Sequence, residues 1–547
     1  MASTLTGESG PLVLTKTLHP RRRPGRPRLL LLNPAYPMNF WSWTEVGDIT
    51  GKKTLMPNLA LPTLAALTPT DQFDLTLVDE NIEAIDFDSE WDIVGMTGYC
   101  TQNDRMFALA EEFRRRNALV VIGGPYASLS RDTVRAHADV LFVGEAEDTW
   151  PRFLEDYRRG TVRAEYAASE TVDLATSPAP RIDLLPNSEF VVGVVQTSRG
   201  CPFACDFCDV IVYLGRRQRH KQPEQVVREL SALHQAGYRA IFLSDDNFTA
   251  NAKRCREIMA AVAAWNREQP ERSSFWTQLS IEVAVERNKP LLDLCVEAGL
   301  ELAFIGVETS DEQTLLEVHK KQNTGRDLVA SLHYLNGVGI QVVAGLIVGF
   351  DEDDTDVFER QFDFAQRAGI PMLVVSMLNA PEGTPLEARM RAEGRLTRPM
   401  TQLYFQTNIV PKKMSIEELT RGAEWLVNRL YAPEAFLERV ATFASLLGDA
   451  PILGDAPHEG ATPGSSSLSR EQWTQLVDHL RRLRRSFSEL GPEFSHIPSE
   501  VLHLLKRKNP NHAFWILTYY YYLVRVLKKW DIWDGAATAA PRRYSAV

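Results

Sequence analysis

Half of the six cysteines of this 547-residue chain lie within one short motif, Cys201-Pro-Phe-Ala-Cys205-Asp-Phe-Cys208. Three thiolates at this spacing predict a metal centre, and soft thiolates select zinc or iron and sulfur. A structural zinc site needs four ligands, and no fourth cysteine lies nearby. Three cysteines on a four-iron cubane would instead leave one iron open to a substrate. The alternative is an incomplete zinc knuckle or three unrelated thiols.

Together with the preceding Ser198-Arg199-Gly200 and the aromatic Phe207, the motif resembles that of the radical S-adenosylmethionine enzymes. The resemblance implies that the three cysteines hold a [4Fe-4S] cluster whose open iron binds S-adenosylmethionine. One-electron reduction would cleave S-adenosylmethionine to methionine and a 5'-deoxyadenosyl radical. Phe207 would then pack near the adenine.

Composition and charge exclude several classes of protein. A net charge of −11 argues against nucleic acid as the main partner, because phosphate binding needs an excess of clustered Lys and Arg. The clustered thiols need a reducing compartment, which favours the cytoplasm, and Cys100, Cys255 and Cys295 are expected to be small buried hydrophobes. No apolar signal segment opens the chain, and its longest apolar run, residues 513–524, is too short to span a membrane.

The first part of the chain alternates short apolar runs with helical segments, which predicts a doubly wound, Rossmann-like α/β domain over residues 28–160 after a leader, residues 1–27. In such sheets ligands bind beyond the carboxyl ends of the strands. The candidate binding residues at those ends are Asn33, Pro34, Thr97, Gly98, Gly123, Gly124, Pro125, Gly144 and Glu145.

The order of these segments ahead of the cysteine motif resembles the cobalamin-binding domain of cobalamin-dependent radical enzymes. The Asp-x-His-x-x-Gly motif that supplies an axial histidine in many cobalamin proteins is missing, and neither His19 nor His137 lies in that context. The resemblance therefore implies cobalamin bound without a histidine on cobalt, with the loop over residues 37–43, which contains Trp41, covering the lower face of the corrin. The alternatives are a flavodoxin-like domain without a ligand and a loop that packs on the next domain.

A connector over residues 161–190 is followed by six predicted strand–helix units over residues 191–385, which indicate a partial TIM-like (β/α)6 barrel. Polar residues at the carboxyl ends of its strands are candidates for binding S-adenosylmethionine, and they are Asp245, Asp246, Gln278 and Glu308. The resemblance favours Asp245 and Glu308. The alternative role for such residues is capping of the following helices.

Residues 386–547 are predicted to form a mostly helical third domain, with an exposed loop over residues 448–467. Its aromatic helix carries Trp515 and Tyr519, which are candidate contacts for an apolar substrate or, alternatively, core residues. The arrangement resembles the hopanoid methylases and related enzymes over about residues 28–530.

These features predict a cobalamin-dependent radical S-adenosylmethionine methyltransferase that acts on an unactivated carbon of a small apolar or aromatic substrate. Its cofactors would be a [4Fe-4S] cluster, S-adenosylmethionine and cobalamin, and its electrons would come from an external flavodoxin or ferredoxin. A cobalamin-dependent radical cyclase or rearrangement enzyme, and a non-catalytic corrinoid or iron–sulfur binding protein, remain as alternatives.

Overall fold

A computed structural model describes residues 25–37, 42–44, 46–400, 405–447, 481–506 and 508–534. These residues divide into two compact units. The first contains the described part of Met1–Pro37 together with Asn58–Leu185 and Val212–Gly215. The second contains the described parts of Met38–Pro57, Pro186–Ile211 and Arg216–Val547.

The first unit is built on a parallel sheet of six strands. Their bounds are Arg28–Asn33 (β1), Asp74–Asp79 (β2), Ile93–Thr97 (β3), Leu119–Gly123 (β4), Val140–Val143 (β5) and Glu165–Ala167 (β6). Their order is β2-β1-β3-β4-β5-β6, so the strand order reverses between β1 and β3. Such a reversal opens a crevice at the carboxyl ends of the two strands. The predicted doubly wound fold is confirmed.

Helices cover this sheet, with bounds Ala60–Ala66, Asn103–Arg115, Pro125–Leu129, Arg131–Arg135 and Thr149–Arg159. The helix Asn103–Arg115 shows why they form. Its Met106, Leu109, Ala110 and Phe113 are at most 1% exposed and recur at helical spacing, so they bury one face in the core beside β1, β3 and β4.

The boundary of this unit differs from the predicted one in two places. Residues 161–190 are not only a connector, because Glu165–Ala167 pairs in parallel with β5 and extends the sheet. Residues 42–57 leave the first unit altogether. Trp43 packs against Trp515 and Tyr522, with ring centroids 6.0 and 5.9 Å away, and Thr54 forms a β-bridge with Phe190. Trp43, at the end of the predicted corrin loop, thus packs within the second unit, while Trp41 lies outside the described residues.

The second unit contains another parallel sheet of six strands, in agreement with the predicted (β/α)6 barrel. Their bounds are Gly193–Val195 (β7), Ala240–Leu243 (β10), Ser274–Leu279 (β11), Leu300–Glu308 (β12), Gln341–Val348 (β13) and Met372–Met377 (β14), and their order is β14-β13-β12-β11-β10-β7. An antiparallel ribbon of Ser198–Arg199 (β8) and Arg219–His220 (β9) stands beside it.

The helices after residue 186 alternate with these strands and then continue beyond them. Their bounds are Val210–Tyr213, Pro223–Gln235, Ala252–Arg267, Lys289–Ala298, Glu312–Glu317, Leu328–Gly337, Val357–Ala368, Pro385–Ala392, Ile416–Tyr431, Pro433–Leu446, residues 481–490, Ile497–Leu504 and Pro510–Lys529. The region after residue 386 is helical as predicted. It does not separate as a third compact unit, because its helices belong to the barrel unit. The whole of the predicted loop over residues 448–467 lies outside the described residues, as does the rest of residues 448–480.

The helices that follow the barrel protect its edge strand β14. The Tyr431 hydroxyl accepts a hydrogen bond from Leu373 N at 2.8 Å and donates to Leu373 O at 3.0 Å. The Tyr519 hydroxyl donates to the same carbonyl. An uncovered edge strand offers unpaired backbone groups to other chains, and the tyrosines satisfy those groups here. None of the described helices combines the length and apolarity needed to span a bilayer.

Candidate active site

The cysteine loop, residues 201–208, follows β7 and β8 at the carboxyl end of the barrel sheet. Cys205 is 6% exposed, and its carbonyl accepts a hydrogen bond from Cys208 N at 3.1 Å, which folds the loop back on itself. Burial raises the pKa of the Cys201 thiol and raises that of Cys208 to about 12, and both thiols interact electrostatically with Cys205. Buried thiolates need positive charge beside them, and the irons of a [4Fe-4S] cluster supply it.

The donor set therefore fits the predicted cluster. Three thiols on one short loop are the ligands that iron and sulfur require. The described residues contain no group of three or more His, Cys, Asp or Glu side chains arranged to hold a single metal ion.

Two successive aspartates at the end of β10 hold the start of the cysteine loop. Asp245 is fully buried, and its Oδ1 accepts hydrogen bonds from Thr197 N and Ser198 N, both at 2.7 Å, while Oδ2 accepts one from the Thr197 hydroxyl. Asp246 accepts a hydrogen bond from Gly200 N at 2.9 Å. Burial raises the pKa of each carboxyl to about 6. Both residues position the backbone that leads into Cys201, and binding of S-adenosylmethionine by either stays a prediction.

Glu308 lies where the register between β12 and β13 shifts, and its φ of 66° is left-handed. Such backbone is costly for a residue with a side chain, so it persists only where the surroundings impose it. Glu308 Oε1 accepts a hydrogen bond from Lys320 Nζ at 2.7 Å, and both side chains are largely buried. A Cβ on Gly306 would collide with Glu308 Oε1 and stand 2.9 Å from Lys320 Nζ, so glycine makes room for this ion pair.

Phe207 packs into a small apolar cluster rather than standing free. Its ring lies 6.2 Å from that of Phe350, and Lys320 Nζ lies 5.9 Å from its centre. Phe350 is fixed by Asp353, whose Oδ2 accepts hydrogen bonds from Gly349 N at 2.8 Å and Phe350 N at 3.0 Å. Burial raises the pKa of Asp353 to about 6. Packing of Phe207 near adenine stays a prediction.

Strand register places Gln278 beside Phe304, Gly306 beside Gly345, and Ile347 beside Ser376. Alternation along the strands puts these residues on the face that carries Glu308, since Gly345 lies next to both Phe304 and Glu308. Phe304, Ile347 and Gln278 are partly exposed and Ser376 is exposed. No hydrogen bond joins the Gln278 side-chain amide to another described residue, and its binding of S-adenosylmethionine stays a prediction. The mouth of the barrel is thus accessible and mainly apolar.

Three residues that contact the candidate site were not identified from the sequence. All three lie between the short helix Glu312–Glu317 and the helix Leu328–Gly337. Lys320 pairs with Glu308, Gln322 donates a hydrogen bond to Cys205 Sγ at 3.4 Å, and Asn323 donates to the carbonyls of Gly306 and Val307 at 3.0 Å. They form no recognisable motif. A stretch of polar residues shortly after a predicted barrel strand was the only signal.

The predicted cobalamin residues other than Trp41, which is outside the described residues, lie at one edge, the carboxyl edge of the first sheet. Buried Asn33 donates a hydrogen bond to Asp79 at 3.0 Å and accepts one from Gln102, which also donates to Pro34 O at 2.6 Å. The glycine and proline residues that follow β4 and β5 are partly exposed. Pro34, Thr97 and Gly98 are buried, so the part of this edge that offers open backbone and small side chains to a large flat ligand is the part after β4 and β5.

Two glycines of this rim are also required by the packing of the protein itself. Gly124 has a φ of 94°, and a Cβ there would collide with Thr97 Oγ1. Gly144 has a φ of 79°, and a Cβ there would meet Ala168 at 3.1 Å. Glu145 accepts a hydrogen bond from Val172 N at 3.0 Å. Ligand contacts by these residues stay predictions.

His137 is the one histidine among the described residues of the first unit, and it precedes β5 at the amino edge of the sheet. Its ring stacks on Phe107 with the centroids 3.8 Å apart. It is therefore on the side of the sheet opposite the rim. His19 lies outside the described residues.

The candidate substrate residues Trp515 and Tyr519 are 7% and 1% exposed. Both pack on Trp43, and Tyr519 bonds to the edge strand. This burial favours the core-residue alternative. Tyr519 also borders an apolar depression with Leu373, Phe405 and Trp530. A substrate contact by either residue stays a prediction.

Comparison with known proteins agrees with this geometry. Residues 195–365 match the radical SAM superfamily, and residues 384–508 match a domain of unknown function, DUF4070. An uncharacterized methyltransferase of Synechocystis sp. is 35% identical, over 75% of this chain and 77% of that protein. The hopanoid C-2 methylase of Rhodopseudomonas palustris is 30% identical, over 75% of this chain and 78% of that protein. The cobalamin-dependent S-adenosylmethionine radical enzyme OxsB shares the fold, with a TM-score of 0.58 and 15% identity over 95% of this chain and 82% of OxsB.

Proposed function

We infer the reaction of this chain from its family, because the chain belongs to the radical S-adenosylmethionine methyltransferases. It is an enzyme that transfers a methyl group to a carbon atom of its substrate. The observation that carries the assignment is the partly buried cysteine loop beside the Glu308–Lys320 pair, at the mouth of a largely apolar barrel.

When bound, a [4Fe-4S] cluster supplies the electron that cleaves S-adenosylmethionine, and cobalamin supplies the methyl carrier. Cys201, Cys205 and Cys208 hold the cluster. Asp245 and Asp246 fix the backbone that enters the loop, through Thr197, Ser198 and Gly200. Gln278 and the Glu308–Lys320 pair offer polar groups to the amino and carboxylate groups of S-adenosylmethionine.

Cobalamin binds at the carboxyl edge of the first sheet, where Asn33, Pro34, Gly98, Gly124 and Gly144 form the rim. The support for this is the reversal of strand order between β1 and β3, which creates a binding crevice in this class of sheet. No histidine from the described residues of this unit would then reach cobalt. Electrons come from a flavodoxin or ferredoxin type of donor, and the enzyme works in the cytoplasm, where thiols stay reduced.

The substrate is an apolar polycyclic lipid of the hopanoid kind. Phe304, Ile347 and Val374 supply partly exposed apolar surface on the inner face of the barrel sheet, with Gln278 and Ser376 among them. Binding a hydrocarbon against these side chains is favourable because it removes apolar surface from water. These described residues include no cluster of cations that would bind a phosphorylated substrate.

The test is incubation of the anaerobically reconstituted holoenzyme with methyl-deuterated S-adenosylmethionine, a reductant and a hopanoid. We expect a product heavier by one labelled methyl group, detected by mass spectrometry. The variant in which all three loop cysteines are alanine should lose the cluster, S-adenosylmethionine cleavage and the product together.

Each other outcome assigns a different function. A tetrapyrrole methylated in place of the hopanoid would keep the reaction and change the substrate class. A converted substrate that carries no label would indicate a cyclase or rearrangement enzyme. Iron and cleavage retained in the triple-cysteine variant would contradict the proposed site.

A further inference from the structure

Residues 318–323 lie against the second half of the cysteine loop, residues 205–208. Asp206 N donates a hydrogen bond to Val318 O at 3.1 Å, and the His319 ring lies 2.7 Å from Asp206 Oδ1. Lys320 stands over the Phe207 ring. These contacts all fall between Cys205 and Cys208, so this segment fixes the part of the loop that carries two of the three sulfurs.

Gln322 reaches the sulfur itself. Its Nε2 lies 3.4 Å from Cys205 Sγ, and the two residues are 8% and 6% exposed. The next residue, Asn323, anchors the segment to the end of β12 through the carbonyls of Gly306 and Val307. The amide of Gln322 is therefore held in place by its backbone as well as by the sulfur.

The orientation of this amide follows from its neighbour. A cysteine that binds iron is a thiolate, which accepts hydrogen bonds and donates none. The NH₂ end of Gln322 must then face Cys205, because the carbonyl end would set a partial negative charge against the sulfur. Gln322 Oε1 is buried and has no hydrogen-bond partner among the described residues, so no competing contact within them turns the amide round.

We propose that Gln322 is a positioning residue that raises the reduction potential of the cluster by donating its amide N–H to the sulfur of Cys205. The proposal rests on the proposed function only in that Cys205 ligates the cluster. Reduction adds one electron and makes the sulfurs more negative, so a donor at the sulfur stabilises the reduced cluster more than the oxidised one. Burial enlarges this difference, since the low local dielectric strengthens the hydrogen bond.

The neighbouring cation does not substitute for this donor. Lys320 is ion-paired with Glu308 at 2.7 Å, and the carboxylate offsets most of its charge. Among the described residues, no hydrogen-bond partner opposes the carbonyl end of the Gln322 amide. Its role is thus to ease the transfer of an electron from the external donor to the cluster.

The experiment compares full-length protein, reconstituted with iron and sulfide and free of cobalamin and S-adenosylmethionine. The variants are Gln322→Met, which keeps length and loses the N–H, and Gln322→Leu, a second shape without a donor. Lys321→Met is the control. It removes the charge of an exposed neighbouring residue and leaves the contact between Gln322 and Cys205 in place. The midpoint potential of the cluster is measured by redox titration followed by electron paramagnetic resonance, with iron and sulfide content determined for each sample.

We expect both Gln322 variants to hold wild-type iron and to shift the midpoint to a more negative potential. The expected change in the reduction equilibrium is about tenfold, which is about 59 mV for one electron. Lys321→Met should move the midpoint much less. Wild-type potentials in both Gln322 variants at full iron content would overturn the proposal.

Loss of the cluster from both Gln322 variants would overturn the proposal as well, because Gln322 would then be needed to form the cluster site rather than to set the reduction potential of the cluster. A wild-type protein that takes up no cluster would instead refute the proposed function. The two failures are distinguishable, since the titration needs neither substrate nor methyl transfer.

Discussion

The carboxylate of Asp245 is committed to the backbone of the protein. Its Oδ1 is shared by two buried N–H groups and its Oδ2 is taken by the Thr197 hydroxyl. Glu308, by contrast, faces a cation at the mouth of the barrel. Asp245 and Glu308, which were expected to have the same role, therefore have different surroundings. Asp245 is bound to buried backbone, whereas Glu308 is paired with the Lys320 side chain, which a ligand could displace.

This difference predicts how Asp245 responds to substitution. Asp245→Asn keeps an oxygen for both N–H groups and an NH₂ for the hydroxyl, so S-adenosylmethionine affinity should change by less than about threefold. Asp245→Ala removes the acceptor of two buried N–H groups and of the Thr197 hydroxyl, at about 1–3 kcal/mol for each donor left unpaired, and should lower the midpoint of thermal unfolding. Calorimetric binding to the reconstituted enzyme and circular dichroism measure the two effects.

Asp293→Asn serves as the control, since Asp293 pairs with Lys289 on the surface and is about half exposed. A stable Asp245→Asn variant that loses about tenfold or more in affinity would return Asp245 to direct binding of S-adenosylmethionine.

At the scale of elements, close contacts between helices hold the barrel. The helix Ile416–Tyr431 crosses the helix Val357–Ala368 at Gly422, where a Cβ would collide with the Phe358 ring. Glycine inside a helix costs up to about 1 kcal/mol relative to alanine, so it is retained here because of the close approach. The helical region after the barrel is thereby part of the same packed unit.

Gly422→Ala should therefore destabilise the fold although alanine is the better helix former. We expect an overpacking cost of about 1–3 kcal/mol, seen as a lower midpoint of thermal unfolding. Gly337→Ala is the matched control, because Gly337 ends the helix Leu328–Gly337 and the nearest atom to a new Cβ is Leu446 O at 3.8 Å. An equal effect of the two substitutions would contradict this role of Gly422.

At the scale of the whole molecule, the proposed cobalamin site and the proposed cluster site belong to different compact units. In the described part of the first unit, the carboxyl edge of the sheet carries no histidine. His137 stacks on Phe107 at the opposite, amino edge. The second unit carries the three cysteines. The chain crosses between them more often than its sequence suggests, since residues 42–57 join the second unit.

Cobalamin bound to the full chain should have no protein nitrogen on cobalt. The electron paramagnetic resonance spectrum of the cob(II)alamin form should be the same for protein made with ¹⁴N and with ¹⁵N. Nitrogen has a different nuclear spin in the two isotopes, so a coordinated histidine would change the superhyperfine pattern between the samples. Such a change would overturn this prediction.

The sequence alone determined the two parallel sheets and the cysteine loop, because these depend on local patterns. Apolar runs such as Leu29–Leu32 specify buried strands, and the spacing of Cys201, Cys205 and Cys208 is a property of one short loop. Only the tertiary structure decided which groups meet that loop. Gln322 donates to Cys205 across 117 positions, and residues 42–57 pack on a helix near the end of the chain. Such contacts follow from how strands and helices stack in space, which hydrophobic periodicity does not encode.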